Sequence, residues 1–221
     1  VKTLSVEEED SPYHSQIEGI KSLKGMIVVI IPLHSLLAPL AVTFKEFFPD
    51  KKITYIMTEG GSLPLDFSFT VSSLKKKGLI TDTITVGQAF GGDIEAVNIF
   101  TALTAAKKIL KSDLIVVGMG PGITGTNTAL GFSGVENVFV NHAVNILKGS
   151  SIIVPRISLA DRRSRHNILS HHTITILTEL IKDRVDVVFP QKKIIIDKLN
   201  KYNLSDKINI IYKDIEIIDQ I

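Results

Sequence analysis

Cysteine and tryptophan are absent from the 221 residues of the chain. Without cysteine the protein has no disulfide, no thiolate metal ligand and no thiol nucleophile, which is ordinary for a cytosolic protein. No apolar run reaches the roughly 18 residues that a membrane-spanning helix needs, and the N-terminus lacks the basic-then-apolar pattern of a signal peptide. We therefore expect a cytoplasmic protein without a membrane partner.

The sequence also has little excess charge of either sign. Its 25 Lys and Arg residues face 23 Asp and Glu residues, which gives a formal net charge of +2. Such a chain has no global field that would attract a polyanion, so nucleic acid is not an expected partner. A hydrophobic content of 44% with 22% charged residues is typical of a globular protein.

Seven short apolar runs, rich in β-branched residues, alternate with polar turns and helical segments. They cover residues 26–31, 53–57, 83–86, 113–118, 151–155, 185–189 and 208–212. The runs are continuously apolar, as in strands that are covered on both faces. The sequence therefore predicts a single, three-layer α/β domain with a doubly wound, mostly parallel, Rossmann-like sheet of about six or seven strands.

Residues 1–20 are predicted to form an acidic N-terminal extension, the end of an upstream segment, and residues 21–221 the Rossmann-like domain. Between the strands, three helical stripes are predicted to face the core: Leu36, Leu40, Phe44 and Phe47; Phe67, Val71 and Leu74; Ile99, Leu103, Ala106 and Leu110. The expected helix N-caps are Ser35, Ser62, Asp93 and Ser170.

The turns that follow the strands differ from the turns that precede them. Glycines, histidines, acids and arginines gather in the first set, whereas the second set is ordinary lysine-rich surface. In a doubly wound sheet the first set lies at the carboxyl edge, where ligands bind. The sequence therefore predicts a ligand site at that edge.

The stretch "GMGPGITGTNT" (118–128) matches the G-x-G-x-x-G pattern of dinucleotide-binding loops. Two features argue against that function: the stretch lies on the fourth apolar run, and no acid after the next strand is placed to hold a ribose. Two alternatives stay open: an anion or polar-ligand loop, and a turn that lets a strand and a helix pack closely. The candidate ligand-binding residues of this loop are Gly118, Gly120, Gly122, Thr124, Gly125, Thr126 and Asn127.

Two acids follow other strands. Asp93 is expected near a helix start, where it would serve as a plain N-cap or bind a hydroxyl or a metal ion. Glu59 has no capping role and is a candidate catalytic acid or base, or a magnesium ligand. A divalent metal such as magnesium is therefore compatible with this edge, although no cofactor is specified.

The densest polar stretch is "RISLADRRSRHNILSHHT" (156–173). Arg156 directly follows a strand and could hold a phosphate or carboxylate, and Asp161 and His166 lie in the same loop. His171 and His172 are expected in the first turn of a helix, where the positive dipole end favours a neutral imidazole that can accept a proton. His171 and His34 are the candidate proton-transfer residues; Asp161, His166 and His172 are candidate ligand contacts, and no spacing signals a metal site.

Five blocks of the sequence carry a resemblance: "LHSLLAP", "YIMTEGGSLPL", "TVGQAFGGDIEAVN", "VVGMGPGITGTNT" and "SHHT". With these blocks the chain resembles the domain of unknown function 3866 family, over about residues 6–180. The resemblance implies a bacterial origin and members with a longer N-terminal region. It brings no activity, cofactor or catalytic residue, so the function is left to the residues themselves.

Three functions remain open from the residues. The first is an enzyme that acts on a small anionic metabolite, phosphate- or nucleotide-like, at the carboxyl edge. The second is a non-catalytic module that binds such a ligand. The third is a scaffold that forms a homo-oligomer through an exposed apolar edge or helix.

Overall fold

A computed structural model of the chain describes residues 4–19 and 21–214. Its strands are β1 (Ile27–Ile30), β2 (Ile53–Thr58), β3 (Asp82–Val86), β4 (Ile94–Ala96), β5 (Leu114–Met119), β6 (Ser150–Ile153), β7 (Ile157–Ser158), β8 (Ile168–Leu169), β9 (Val185–Pro190) and β10 (Ile208–Lys213). Eight of them form one sheet in the order β10-β9-β6-β1-β5-β2-β3-β4, and every neighbouring pair is parallel. The other two, β7 and β8, form a small antiparallel hairpin.

Helices cover both faces of this sheet. They are α1 (His14–Ile17), α2 (Leu37–Phe47), α3 (Phe69–Lys76), α4 (Ile99–Lys108), α5 (Glu136–Ile146), α6 (His171–Thr175), which continues as a π-helical turn over Ile176–Leu180, and α7 (Lys193–Leu199). Helices α2 and α3 pack on one face, and α4, α5, α6 and α7 pack on the other. The predicted three-layer α/β fold is therefore confirmed. Within the described ranges, no helix is both long and apolar enough to cross a membrane.

All seven predicted runs are strands, and the sheet contains an eighth, β4, that the sequence did not predict. Asp93 precedes β4 at its amino end, where it accepts hydrogen bonds from Thr83 N and Oγ1 (both 2.8 Å) and pairs with Lys75 (2.5 Å). The prediction that Asp93 caps a helix at the carboxyl edge is therefore wrong. Helix α4 is capped by Asn98 instead, whose side chain accepts from Phe100 N at 2.9 Å.

The predicted core stripe of α2 is right in part. Leu36, Leu40 and Phe44 are partly buried and pack against the core, whereas Phe47 is 71% exposed. The fully buried residues of the helix are Leu37 and Ala41, because a 3-10 turn over His34–Leu36 precedes the helix and its most buried face begins at residue 37. The stripe of α4 is confirmed, since Leu103 and Ala106 are fully buried.

The stripe on α3 is right at Val71 and Leu74, which are buried, and wrong at Phe67, which is 65% exposed. Phe67 lies in a 3-10 turn before the helix, and Ser68 is the N-cap, accepting from Val71 N at 3.0 Å. The expected caps Ser35 and Ser62 both belong to 3-10 turns instead.

The segment 4–19 packs along the sheet edge that β4 would otherwise expose. Val6 N donates to Glu95 O at 2.8 Å, and the Val6 side chain is buried in the core. Glu7 accepts from Val97 N at 2.7 Å and from the Thr101 hydroxyl. Covering an edge strand in this way removes a row of unpaired backbone groups that would favour aggregation.

The two central strands, β1 and β5, lead to opposite faces of the sheet. After β1 the chain enters α2 on one face, and after β5 it enters α5 on the other. Since these strands are neighbours, a crevice opens between their carboxyl ends, at residues 32–34 and 120–123. This is the topological switch point, at which doubly wound folds bind their ligands.

Gly118 of β5 packs directly against β1. A Cβ at this position would lie 2.5 Å from Ile31 Cγ1 and 3.1 Å from Ile31 O. We expect Gly118→Ala to lower the free energy of unfolding by about 1–3 kcal/mol, because an added methyl group overpacks this contact. Urea unfolding of Gly118→Ala, Ile31→Ala and the double variant would measure it. The double variant should lose less than the two single losses added together; simple additivity would show that Ile31 is not the obstacle.

Candidate functional site

The carboxyl edge brings together the turns after β1, β2, β5 and β6 with the start of α6. Every candidate site residue except Asp93 and Gly118 lies on these turns or in the segments that directly continue them, and Gly118 lies within β5. The residues separate into three groups: a cluster of three histidines, a pair of glutamates and a hydrogen-bonded network around Tyr55.

His166, His171 and His172 form one cluster, called here the histidine cluster. Their ring centroids are 4.2 Å apart for His171 and His172, 4.9 Å for His166 and His171, and 5.3 Å for His166 and His172. The His172 ring also stacks on Phe132 at 4.1 Å with an interplanar angle of 4°. The sequence predicted these histidines as separate candidates, and the structure brings them together.

Local structure explains how the three rings meet. His171 and His172 open α6, and Ser170 caps this helix as predicted, with its Oγ accepting from His172 N at 3.3 Å. The same Oγ lies 2.8 Å from His166 Nδ1. Between them, the β7–β8 hairpin folds the loop back, with Ile168 at φ 65°. A β-branched residue in the left-handed region is strained, and such strain concentrates at functional sites.

Several ring nitrogens of the cluster are buried without a hydrogen-bond partner. They are both nitrogens of His171 and Nε2 of His172. His172 Nε2 points at the backbone of Gly125, where a Cβ would lie 3.1 Å away. Because buried polar groups in folded proteins are nearly always paired, these nitrogens indicate a place where a ligand or solvent is bound.

Arginines surround the cluster. Arg156 Nη2 and Arg163 Nη2 both pair with Asp161, at 3.1 and 2.8 Å, and the hydrogen bonds from Arg163 hold the pKa of Asp161 well below its usual range. Arg165 Nε donates to His166 Nε2 at 3.3 Å. Among the residues that the structure describes, Arg165 has no carboxylate partner, so its charge is not neutralised locally.

The three rings are neutral at pH 7. Burial, together with the charge of Arg156, lowers the pKa of His166 to about 4. Burial and the neighbouring His171 lower the pKa of His172 to about 4, and burial lowers the pKa of His171. Neutral imidazoles can both donate and accept hydrogen bonds, so the cluster combines uncharged proton acceptors with the positive charges of the surrounding arginines.

The glycine-rich loop does not lead directly into a helix. Residues 124–133 form a tight hairpin, with Gly125 bridged to Phe132, and α5 starts only at Glu136. Its hydroxyls bond within the hairpin: Thr126 Oγ1 donates to Gly131 O at 2.9 Å. Thr124, Thr126 and Asn127 therefore lie in this hairpin, ahead of α5, and not in the first turn of that helix.

A different feature of the structure explains each glycine of this loop. Gly118 packs on Ile31, a Cβ on Gly120 would lie 3.2 Å from Met57 Sδ, and Gly122 has a φ of +102°, which favours glycine. Gly125 lets the hairpin approach His172. Close packing accounts for the first two of these glycines, and the approach to the histidine cluster accounts for the last.

Glu59 lies beside a second, half-buried glutamate. Glu59 Oε2 accepts from Gln88 N at 3.1 Å, and Glu136 Oε1 accepts from the Thr58 hydroxyl at 2.5 Å. Burial raises the pKa of Glu136, and the charge of Glu59 acts in the same direction. Within residues 4–19 and 21–214, no group of three or more histidine, aspartate or glutamate side chains is arranged to hold a metal ion.

His34 lies in a network of hydrogen bonds on the other face. Its Nδ1 is 3.1 Å from Tyr55 Oη and its Nε2 is 2.7 Å from Ser68 Oγ. Tyr55 donates onward to the carbonyls of Gly118 and Met119, at 3.0 and 3.1 Å. His34 therefore uses both nitrogens to connect Ser68, the N-cap of α3, with Tyr55 of β2, and through Tyr55 with the end of β5.

Sequence reasoning missed Phe132, Glu136, Tyr55 and Ser68. Tyr55 carried a signal, because it is the one phenol in an aliphatic strand, and Phe132 another, because it stands between Gly131 and Ser133 in a polar loop. Glu136 follows the hairpin, and nothing in its sequence surroundings distinguishes it from an ordinary acid in the first turn of a helix.

The low pKa values of the cluster make stability depend on pH. His166 and His172 have a pKa of about 4 in the folded chain, against an ordinary value near 6.5, so the unfolded chain binds more protons between these values. We expect each ring to lower the free energy of unfolding by on the order of 2 kcal/mol as the pH falls from 7 to 4.5. Urea unfolding across this range measures the loss.

The His172→Asn variant should show a weaker dependence on pH than the wild type. His142, whose side chain is 55% exposed, gives the matched control, because His142→Gln leaves the buried rings intact. Equal pH dependence in the wild type and in His172→Asn would contradict a neutral, buried His172.

Comparison with known proteins gives one match. The family model described as "Protein of unknown function (DUF3866)" matches residues 1–221. No curated protein and no solved structure shows significant similarity to the chain. Since the match spans the whole sequence and includes each block of the carboxyl edge, the chain belongs to the DUF3866 family.

Proposed function

We propose that the protein is an enzyme that acts on a small anionic metabolite, bound at the carboxyl edge against the histidine cluster. The observation that carries this proposal is the set of unpartnered, buried nitrogens on His171 and His172, next to the unneutralised charge of Arg165. Ionisable groups with shifted pKa values, gathered at the switch point of a doubly wound sheet, are typical of functional sites.

The chemistry of the cluster suits an oxyanion such as a phosphate or a carboxylate. Guanidinium groups bind both through paired, charge-assisted hydrogen bonds, and Arg165 has donors left for this purpose. His171 supplies a neutral imidazole, because burial lowers its pKa, and a general base needs an uncharged nitrogen that can accept a proton. Arg156 is held by Asp161 at the rim and contributes positive field.

Entry of a ligand requires the hairpin 124–133 to move. The hairpin lies against His172 through Gly125 and meets Arg165 through Asn127 Oδ1, at 3.5 Å from Arg165 Nη1. Because its hydroxyls and backbone groups are bonded within the hairpin, it can shift as a unit without breaking those bonds. A cover of this kind also excludes water from the bound ligand.

Thermal unfolding in the presence of sulfate, phosphate, citrate and sugar phosphates tests the site. A ligand at one hundred times its dissociation constant adds about 2.7 kcal/mol, a rise in Tm of roughly 5 to 10 °C for a chain of this length. We expect this rise to be lost in Arg165→Gln and His171→Asn. It should remain in Arg162→Gln, which removes a neighbouring exposed arginine outside the cluster.

Two results would separate the alternatives. A ligand that stabilises the wild type and is recovered chemically unchanged after long incubation would favour a binding module over an enzyme. A Tm rise that survives both cluster variants would place the site elsewhere and overturn the proposal.

Binding of an anion should also take up protons. A negative charge within about 4–6 Å raises the pKa of a histidine by one to three units, which would bring His172 from about 4 to near 6. Sulfate affinity should therefore increase from pH 7.5 to pH 5.5, and calorimetry in buffers of different ionisation enthalpy should give different apparent binding enthalpies. Equal enthalpies in all buffers would contradict the direct contact; the uptake should fall in His172→Asn.

A further inference from the structure

The face of the sheet that carries α2 and α3 is covered over only part of its width. On this face, Ile152 lies in β6 and Val154 directly follows it, Val188 lies in β9 and Ile211 in β10, and all four are only half-buried. The outer strands also place the hydrogen-bonded polar pair Asp186 and Asn209 on this face. Among the described residues, no helix packs over β9 and β10 here, whereas α6 and α7 cover the opposite face. Parallel sheets are covered on both faces in stable proteins, so this face has a missing cover.

A groove of about 750 Å³ runs on this face between α2 and strands β1 and β6. Its lining includes Ile27, Leu36, Thr43, Phe47, Phe48 and Ile152. Thr43 is the one polar residue of this lining. Small-molecule sites place several polar groups to orient their ligand, so the groove fits a protein surface better than a metabolite.

Helix α2 is apolar almost all round. It buries Leu37 and Ala41 against its own sheet, yet the stripe from Leu36 to Phe47 faces the groove. Its only charged residues are Lys45 and Glu46, near its end. A helix that is apolar on both sides is normally buried on both sides.

Two exposed phenylalanines supply about half of the apolar area that a dimer needs from each copy. Phe47 and Phe48 are 71% and 51% exposed. Together they present roughly 200 Å², and Ile27 in the same groove is 46% exposed. A standard interface buries about 800 Å² per partner, of which slightly more than half is apolar.

We propose that a second copy of the chain covers this face, with its α2 lying in the groove beside α2 of the first copy. A twofold interface uses the same patch on both copies, so the patch must contain both the inserted element and its receptor. This patch does: the exposed stripe of α2 and the open strands of β1 and β6 lie side by side. The two helices pack antiparallel, each filling the groove of the other copy.

The oligomeric state in solution tests the proposal. Sedimentation equilibrium of the purified chain should show a dimer, and Phe47→Glu should raise the dimer dissociation constant at least about 30-fold, as for a central interface residue. Phe69→Glu is the matched control, since Phe69 is 91% exposed at the start of α3 and outside the groove. Circular dichroism shows whether each variant is folded.

Cross-linking gives a second measurement that does not depend on destabilising the interface. The chain contains no cysteine, so Thr43→Cys places a single thiol in each copy, near the middle of α2. A short bismaleimide should join two copies of Thr43→Cys and should not join copies of Phe69→Cys.

A monomeric wild type would overturn the proposal and leave the groove to another protein or to another part of a longer chain. A dimer that survives Phe47→Glu and shows no Thr43→Cys cross-link would overturn it as well, because the contact would then use another surface. Neither result depends on anion binding at the histidine cluster.

Discussion

The parallel direction of all eight strands in the main sheet is the constraint on which the rest of the structure depends. In such a sheet every strand ends at the same edge, so turns that lie far apart in sequence become neighbours. His34, Glu59, Arg156 and His171 follow four different strands or their continuations, and yet all reach this edge. The site therefore has no local motif, and the side chains that could serve it are collected by topology.

The same constraint explains which parts of the fold could be predicted. Seven strands could be identified because buried parallel strands are continuous β-branched runs between turns, a signal that each run carries by itself. Strand β4 carries no such signal, since it has three residues and includes Glu95, which accepts from the hydroxyl of Thr85 in β3. Only its pairing with β3 makes it a strand, and this also moves Asp93 away from the carboxyl edge.

The sequence could predict where the candidate site lies but not which side chains meet there. Strand-to-helix turns indicated the edge, and Ser170 was identified as a cap from its position before the helix. Which side chains meet depends on shifts of an ångström or two that no spacing records. Two contacts are examples. Asp161 pairs with Arg156 and Arg163, and the ring of Phe132, which belongs to the hairpin 124–133, stacks on His172.

The histidine cluster lowers the stability of the fold, and this loss of stability is informative about the role of the cluster. Three neutral rings, unpartnered nitrogens on two of them, a strained Ile168 and the surrounding positive charges all oppose stability at one place. Asp161 offsets part of the positive charge by pairing with two arginines, yet it leaves Arg165 unneutralised. Strained or unpaired groups that lower stability locally are characteristic of functional sites, where the ligand restores the missing interactions.

The open face and the histidine cluster are linked by the short turn between β1 and α2. Helix α2 starts three residues after His34, and residues 32–34 form one side of the switch-point crevice. His34 is itself tied to Tyr55 and Ser68, so the turn cannot shift without disturbing that network. A contact that fixes α2 from outside therefore also fixes one wall of the crevice. In the dimer proposed above, the second copy would therefore hold one wall of the crevice in place as well as cover an apolar surface.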